Sequence, residues 1–381
     1  MIANPEPIPR SQDKAPQYLA PAPSIILDVV RFLAALTVAI GHVSQSFFTT
    51  GWPPILMDFA IGSVSVFFIL SGFMIRYITR VKYGDLRRYT VDRVARIYSV
   101  VLPTLALTIL FDVLASHFNH DYYAVNFGGN TSHGVIGSLL SHTWAQGTLH
   151  ILLSVTMLSQ SWFHNSSPLS NSPFWSLCYE CVYYALFGIA LYLRGIKRVI
   201  GWIVVFLLIG PTIFLMFPIW LLGCAAYDLY RDGVLAKNSV LKLLASSLLS
   251  IAGVHGSRAI IQHFHADWFY IGRVAPTMDI VAILTVAILT PLCIATRNFQ
   301  ISEQHLVVRC IRRFAAATFP LYLIHFPLFV LLAAVIPYPH ASLWSKLLLL
   351  VAALSLSLVL AGPCDSLKDY LRKNLFPARS A

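Results

Sequence analysis

Asp28-Val-Val-Arg31-Phe-Leu-Ala-Ala-Leu-Thr-Val-Ala-Ile-Gly-His42 is an apolar run of membrane character with an acid and an arginine at its start and a histidine inside it. Ionisable side chains are expensive in hydrocarbon, so each of the three is a candidate functional group. Arg31 and His42 are eleven residues apart. On a helix that is about three turns plus 20°, which puts both on one face, roughly 16 Å apart along the axis. With Arg31 at the edge of an apolar core about 30 Å thick, His42 lies just past its middle. An anion-binding group and a proton-transfer group on one stripe suit chemistry performed across a membrane. The plainer reading is an interfacial arginine that snorkels and a histidine satisfied by a neighbouring helix.

The chain around this run has 381 residues, of which 57% are hydrophobic and 11% charged, with a mean hydropathy of +0.71. Soluble domains carry about 25% charged residues. The deficit, with repeated apolar runs, predicts an all-α polytopic integral membrane protein. Its expected make-up is about ten transmembrane helices plus one re-entrant or interfacial helix. Continuous runs argue against a β-barrel. The net charge of +11 follows from lysine and arginine in the loops on the cytoplasmic side, not from nucleic-acid binding. Expected spans are 25–48, 57–78, 94–116, 174–194, 199–217, 218–230, 240–257, 275–296, 314–336 and 343–363. Residues 1–24, rich in proline, read as a disordered cytoplasmic tail and 366–381 as a basic cytoplasmic tail. The loop after the second span carries Arg76, Arg80, Lys82, Arg87, Arg88, Arg93 and Arg96 and is therefore assigned to the cytoplasm. Alternation then puts both termini there, and only Arg258, Arg273 and Lys346 fall outside. Counting 148–163 as a further span would move Arg194, Lys197 and Arg198 outside, so that segment is expected to be re-entrant or interfacial.

Loop 117–173 holds His117, His120, His133, His142, His150 and His164 among aromatics such as Tyr122, Tyr123, Trp144 and Trp162. These residues suit a sugar surface, and equally a membrane interface. His117-x-x-His120 and His263-x-His265 have ligand-like spacing but no Cys or Glu companion, and no metal is expected. Cys178-x-x-Cys181 is read as packing. No internal repeat, phosphate-binding glycine loop or nucleic-acid module is present.

Four further segments carry candidate chemistry. Ser71-Gly72 in the second span allows close approach, either of another helix or of a narrow acyl-bearing arm; Arg76 follows one turn on. Arg93 and Arg96 share a face at the mouth of the third span and suit a phosphate or diphosphate, or alternatively anionic lipid. Glu180 is expected one and a half turns from the outer end of its span. Ser176, Tyr183 and Tyr184 are within reach of it, as a structural polar knot or as an acceptor-binding or catalytic group. Pro320 and Pro327 interrupt helix hydrogen bonding around His325, whose depth resembles that of His42.

Together and in order these segments resemble the membrane-bound acyltransferase-3 family: Asp28-x-x-Arg31…His42, Phe67-Phe68-x-x-Ser71-Gly72-Phe73, Arg93-x-x-Arg96, Trp175-Ser176-Leu177-x-x-Glu180-x-x-Tyr183 and Tyr322-Leu323-x-His325. Val29 and Pro320 depart from its usual pattern. The resemblance implies a transmembrane acyltransferase domain over 25–365. It implies transfer of an acyl group, usually acetyl, from cytoplasmic acyl-CoA to a hydroxyl of an extracytoplasmic carbohydrate or lipid-linked glycan in a bacterial inner membrane. Arg31, Arg93, Arg96 and Arg76, with Ser71 and Gly72, are then expected at the donor, and His42, Glu180 and His325 at the chemistry. His42 would serve as base, or as an acyl-histidine relay. A glycan or lipid exporter is the alternative, and it predicts repeats that the sequence lacks.

Overall fold

A computed structural model describes residues 18–81, 85–127, 144–162, 166–232, 271–337 and 340–374, with scattered helical positions between 241 and 252. The described residues form helices and no strand. In chain order these are α1 (Pro21–Val43), α2 (Ile55–Val81), α3 (Leu86–Phe118), α4 (His120–Phe127), α5 (Trp144–Val155), a 3-10 turn (Ser172–Phe174), α6 (Trp175–Tyr192), α7 (Gly195–Ile209), α8 (Pro211–Asp232), α9 (Ile271–Thr296), α10 (Leu306–Val335) and α11 (Leu343–Asn374).

Among the described residues, seven segments are long and apolar enough to cross a membrane: α1, α2, α3, the 3-10 turn with α6, Met278–Thr296 of α9, α10 and α11. The chain is thus a multi-pass helical membrane protein. Two of the remaining expected spans are divided differently from the sequence reading. Gly210, at φ +80°, separates α7 from α8, whereas Pro218 lies inside α8 and not at a span boundary. A left-handed glycine breaks a helix more decisively than a proline with room to bend. The span 240–257 lies mostly outside the described residues, as do residues 1–17, 128–143 and 375–381, His133, His142, His164, Arg258 and the pair His263 and His265.

Packing divides the helices into two groups joined by α1. On one side α2 packs on α8 and α9; on the other α10 packs on α3 and α11; α1 touches both α2 and α10. The contacts are close because small residues meet. A Cβ on Gly72 would run into the Trp220 carbonyl, and one on Gly223 into that of Ile69, so α2 and α8 cross backbone to backbone. The sequence left Ser71-Gly72 open between a packing notch and a substrate approach. Gly72 is the notch.

Helices α3 and α11, of 33 and 32 residues, measure about 48–50 Å and outrun a membrane core of about 30 Å. Asp92 near the start of α3 pairs with Arg372 near the end of α11, with Nε–Oδ1 at 2.7 Å. The part of 366–381 read as a tail is, up to Asn374, the last turns of α11.

The described part of 144–171 is one short helix and irregular chain packed against the bundle. Helix α5, at 12 residues, is too short to span. It is followed by an irregular stretch in which Ser159, Gln160, Ser167, Ser170 and Asn171 are buried. Tyr98, twelve residues into α3, donates to the Val155 carbonyl at 2.6 Å. Polar backbone inside a membrane protein needs such partners. Trp162 closes the fold here: its N–H donates to Ile209 O at 2.7 Å and its Nε1–H to Leu207 O at 2.6 Å, capping the end of α7. Of the aromatics singled out in loop 117–173, Tyr122, Tyr123 and Trp162 make contacts within the fold. Tyr122 donates to Phe47 O at 3.1 Å and Tyr123 is fully buried.

Candidate active site

The two groups of helices leave a cavity of about 380 Å³ between them. Arg31 enters it from α1, Phe67, Ser71 and Ile78 from α2, and Asp92, Arg93 and Arg96 from α3. Ser176, Glu180 and Tyr184 come from α6, Tyr322 from α10, and Lys368 and Arg372 from α11. From Phe67 to Ile78 the wall follows α2 for about 16 Å. One end, at Phe67, Ser176 and Tyr322, is deep in the bundle. The other is the mouth, where Asp92 and Arg372 meet. Five cations (Arg31, Arg93, Arg96, Lys368, Arg372) line it against two carboxylates, Asp92 and Glu180. Such a balance suits a multiply charged anion.

The arginines are held differently. Arg31 is 3.2 Å from Asp28, and Asp28 also binds Arg312, which reaches Glu303 at 2.8 Å. One carboxylate shared by two guanidiniums leaves Arg31 only partly neutralised. Arg93 lies over the Tyr184 ring at 5.8 Å. Arg76, expected at the donor, is not at the cavity. It makes a two-pronged ion pair with buried Asp228, 3.0 Å at each prong. Nothing near Arg76 in sequence announces that partner.

Glu180 lies about one and a half turns into α6, the position along the helix that the sequence reading gave it. Helix α6 begins inside the bundle, because Asn171 just before it bonds Leu323 O of α10 at 2.8 Å and Thr108 of α3 at 3.1 Å. Glu180 therefore shares a cavity with Arg31, Arg93 and Arg96. Its Oε1 accepts from Ser71 Oγ at 2.7 Å and from the Tyr184 hydroxyl, while Trp220 Nε1 donates to Ser71 Oγ at 3.1 Å. Of its expected partners only Tyr184 serves. Ser176 instead bonds the Tyr322 hydroxyl at 2.6 Å, and the Tyr183 ring packs on Phe68 and Phe217.

His42 and His325 stand together beyond the deep end, ring centres 5.2 Å apart. Both are buried, His325 completely. Neither lines the cavity. Between them and it lie Phe67 and Tyr322, in edge contact at 5.3 Å, with the Tyr322 ring 6.4 Å from that of His325. On the far side Phe326 meets His42 edge-on at 5.2 Å and packs with Phe47, Phe48 and Phe127. His325 Nδ1 is 2.8 Å from Leu321 O. A carbonyl can only accept, so Nδ1 carries the proton and Nε2 presents a lone pair, which has no hydrogen-bond partner among the described residues. Pro327 has no N–H to give Leu323 O, and Asn171 supplies the missing donor. The helix itself runs unbroken from Leu306 to Val335 through both prolines, so what Pro320 and Pro327 interrupt is hydrogen bonding and not the helix.

The match to known proteins covers almost this whole assembly: the model of an acyltransferase domain, that of the acyltransferase-3 family, matches residues 25–363. The chain belongs to the acyltransferase-3 family. No curated protein and no solved structure matches it. Membership makes acyl transfer, in general, the class of chemistry.

The sequence reading had counted Lys368 and Arg372 only as basic residues near the chain's end. They lie past the matched segment and their spacing of four puts both on one face of α11, the signal that pointed to a face rather than a tail. Asn171, Asp228 and Arg312 gave no sequence signal, because their partners lie 152, 152 and 284 positions away.

Proposed function

We propose that this acyltransferase-3 protein moves an acyl group, acetyl in the first instance, from cytoplasmic acyl-CoA to a hydroxyl of an extracytoplasmic carbohydrate or lipid-linked glycan. Its setting is a bacterial inner membrane, with both termini in the cytoplasm. The observation that carries the reading is the cation-rich cavity that ends directly beneath the buried His42–His325 pair. Arg31, Arg93 and Arg96 hold the donor phosphates. The thioester arm passes Ser71, and Phe67 and Tyr322 part to admit it. Until they do, they keep water from the thioester.

At the histidines, a carbohydrate hydroxyl is a poor nucleophile at neutral pH and needs a base. His42 takes the hydroxyl proton as the oxygen attacks the thioester carbonyl. The new C–O bond forms, the C–S bond breaks, and the CoA sulfur leaves with the proton that His42 returns. His325, held by Leu321 O with its Nε2 lone pair presented, orients and buffers His42. Glu180, bound to Ser71 and Tyr184, keeps the channel wall polar where the arm passes and does not touch the reacting carbonyl.

The test is release of free CoA from acetyl-CoA by purified protein in nanodiscs with a hydroxyl acceptor supplied. Wild type is expected to release CoA, and His42→Ala to bind donor without releasing it. His42→Ala protein with wild-type turnover would refute the base. Folded wild type that neither binds nor consumes acyl-CoA would refute the donor and favour an exporter.

A further inference from the structure

We propose that Lys368 and Arg372, at the end of α11, form a separate phosphomonoester subsite at the cavity mouth and make the protein select donors that carry a phosphate on the ribose. This rests on the acyl-CoA reading above and deepens it. Both residues lie past 363, where the acyltransferase domain ends, so the domain does not assign them.

The placement comes from the two overlong helices. Helix α3 starts, and α11 finishes, at the mouth. The Asp92–Arg372 pair at 2.7 Å fixes α11 against α3 there, and Lys368, one turn deeper, also lines the cavity. Asp92 acts as a positioning residue that holds Arg372 over the opening. Lys368 pairs within its own helix with exposed Asp365. Exposed pairs of this kind hold weakly, so the ammonium is available to a stronger anion.

The donor's orientation follows from the chemistry at its other end. Its thioester must reach the histidines beyond Phe67 and Tyr322, so its nucleotide stays at the mouth. A CoA nucleotide carries a diphosphate next to the arm and a phosphomonoester on the ribose, farthest from the thioester. The monoester bears about −1.5 to −2 at neutral pH and three strong acceptor oxygens. Arg93 and Arg96, on the facing helix, serve the diphosphate. Lys368 and Arg372 supply the further positive charge that the monoester needs.

The experiment is isothermal titration of the full-length protein in nanodiscs with acetyl-CoA and with 3′-dephospho-acetyl-CoA. Wild type is expected to bind acetyl-CoA about tenfold or more tightly, the scale of one or two charge-assisted hydrogen bonds. In Lys368→Gln/Arg372→Gln the ratio of the two affinities is expected to fall close to one, and in Lys368→Arg to persist. Lys368→Gln alone, which leaves the Asp92–Arg372 pair in place, is expected to lower the ratio by about threefold or more and decides the matter should the double variant misfold. Equal affinities in wild type, or a ratio unchanged in the variants, would overturn the subsite while leaving the acyl-CoA reading intact. Failure of wild type to bind either donor would overturn both.

Discussion

Removing Asp228 should destabilise the protein without weakening donor binding. Arg76 donates through two nitrogens to the Asp228 carboxylate, each at 3.0 Å, and the two side chains are 17% and 3% exposed. Breaking a buried pair by deleting one partner costs about 3–5 kcal/mol, because the survivor stays buried and charged. Asp228→Ala falls in that range, since the Arg76 side chain loses both prongs at once. Arg76→Met should cost less, about 1–3 kcal/mol, because Asp228 keeps Arg231 at 3.8 Å. In Arg76→Met/Asp228→Leu no charge is stranded, and the double variant should recover about 2–4 kcal/mol relative to the sum of the singles. Thermal unfolding in micelles, followed by tryptophan fluorescence, reads these costs; Asp228→Ala should lower the midpoint by roughly 5–15 °C. Acetyl-CoA affinity, measured below the midpoint, should be unchanged in Arg76→Met. A tenfold loss of affinity at unchanged stability would refute the argument and return Arg76 to the donor site.

Gly72→Ala is expected to cost at least about 1–3 kcal/mol, because its Cβ meets the Trp220 backbone, which has no side-chain freedom with which to yield; a midpoint equal to wild type would count against the close crossing of α2 and α8. Asn171→Leu strips the donor from Leu323 O and should lose about 1–3 kcal/mol, together with most CoA release as the turn around His325 relaxes; normal turnover would show that this bond does not set the histidine. Phe67→Ala is expected to raise CoA release in the absence of any acceptor by admitting water to the thioester; no rise would mean that Phe67 does not seal the site. A topology reporter joined after Arg198 should report the same side of the membrane as one joined after Arg80, and opposite sides would overturn the assigned course of 148–163.

What the sequence disclosed was local periodicity. One stripe on α1 carries Arg31 and His42, and matched depths on α1 and α10 bring His42 to His325; the structure puts their rings in contact. The hydrogen bonds missing at Pro320 and Pro327 were equally legible, since a proline's missing N–H is a covalent fact, although α10 continues through both prolines. Pairings across the bundle were not. Arg76 was read by its neighbours as a donor contact, whereas its charge is spoken for by a carboxylate far along the chain. The cavity partners of Glu180 were hidden because its helix was read as beginning at a surface. Asn171 begins this one inside by bonding two other helices. Lys368 and Arg372 were absorbed by the rule that orients membrane proteins, which explains why cations are present but says nothing about which way they face.

The cavity draws Arg31 from the first helix and Lys368 and Arg372 from the last, and this gives its assembly a clock. Synthesis at about 5–20 residues per second separates these groups by on the order of tens of seconds. Throughout that interval the nascent chain holds its histidine-bearing helix but no complete anion site. A ribosome-bound or prematurely terminated chain therefore carries His42 without the cations of α11, and on the acyl-CoA reading proposed above the ribose-phosphate contact is the last part of the site to be made.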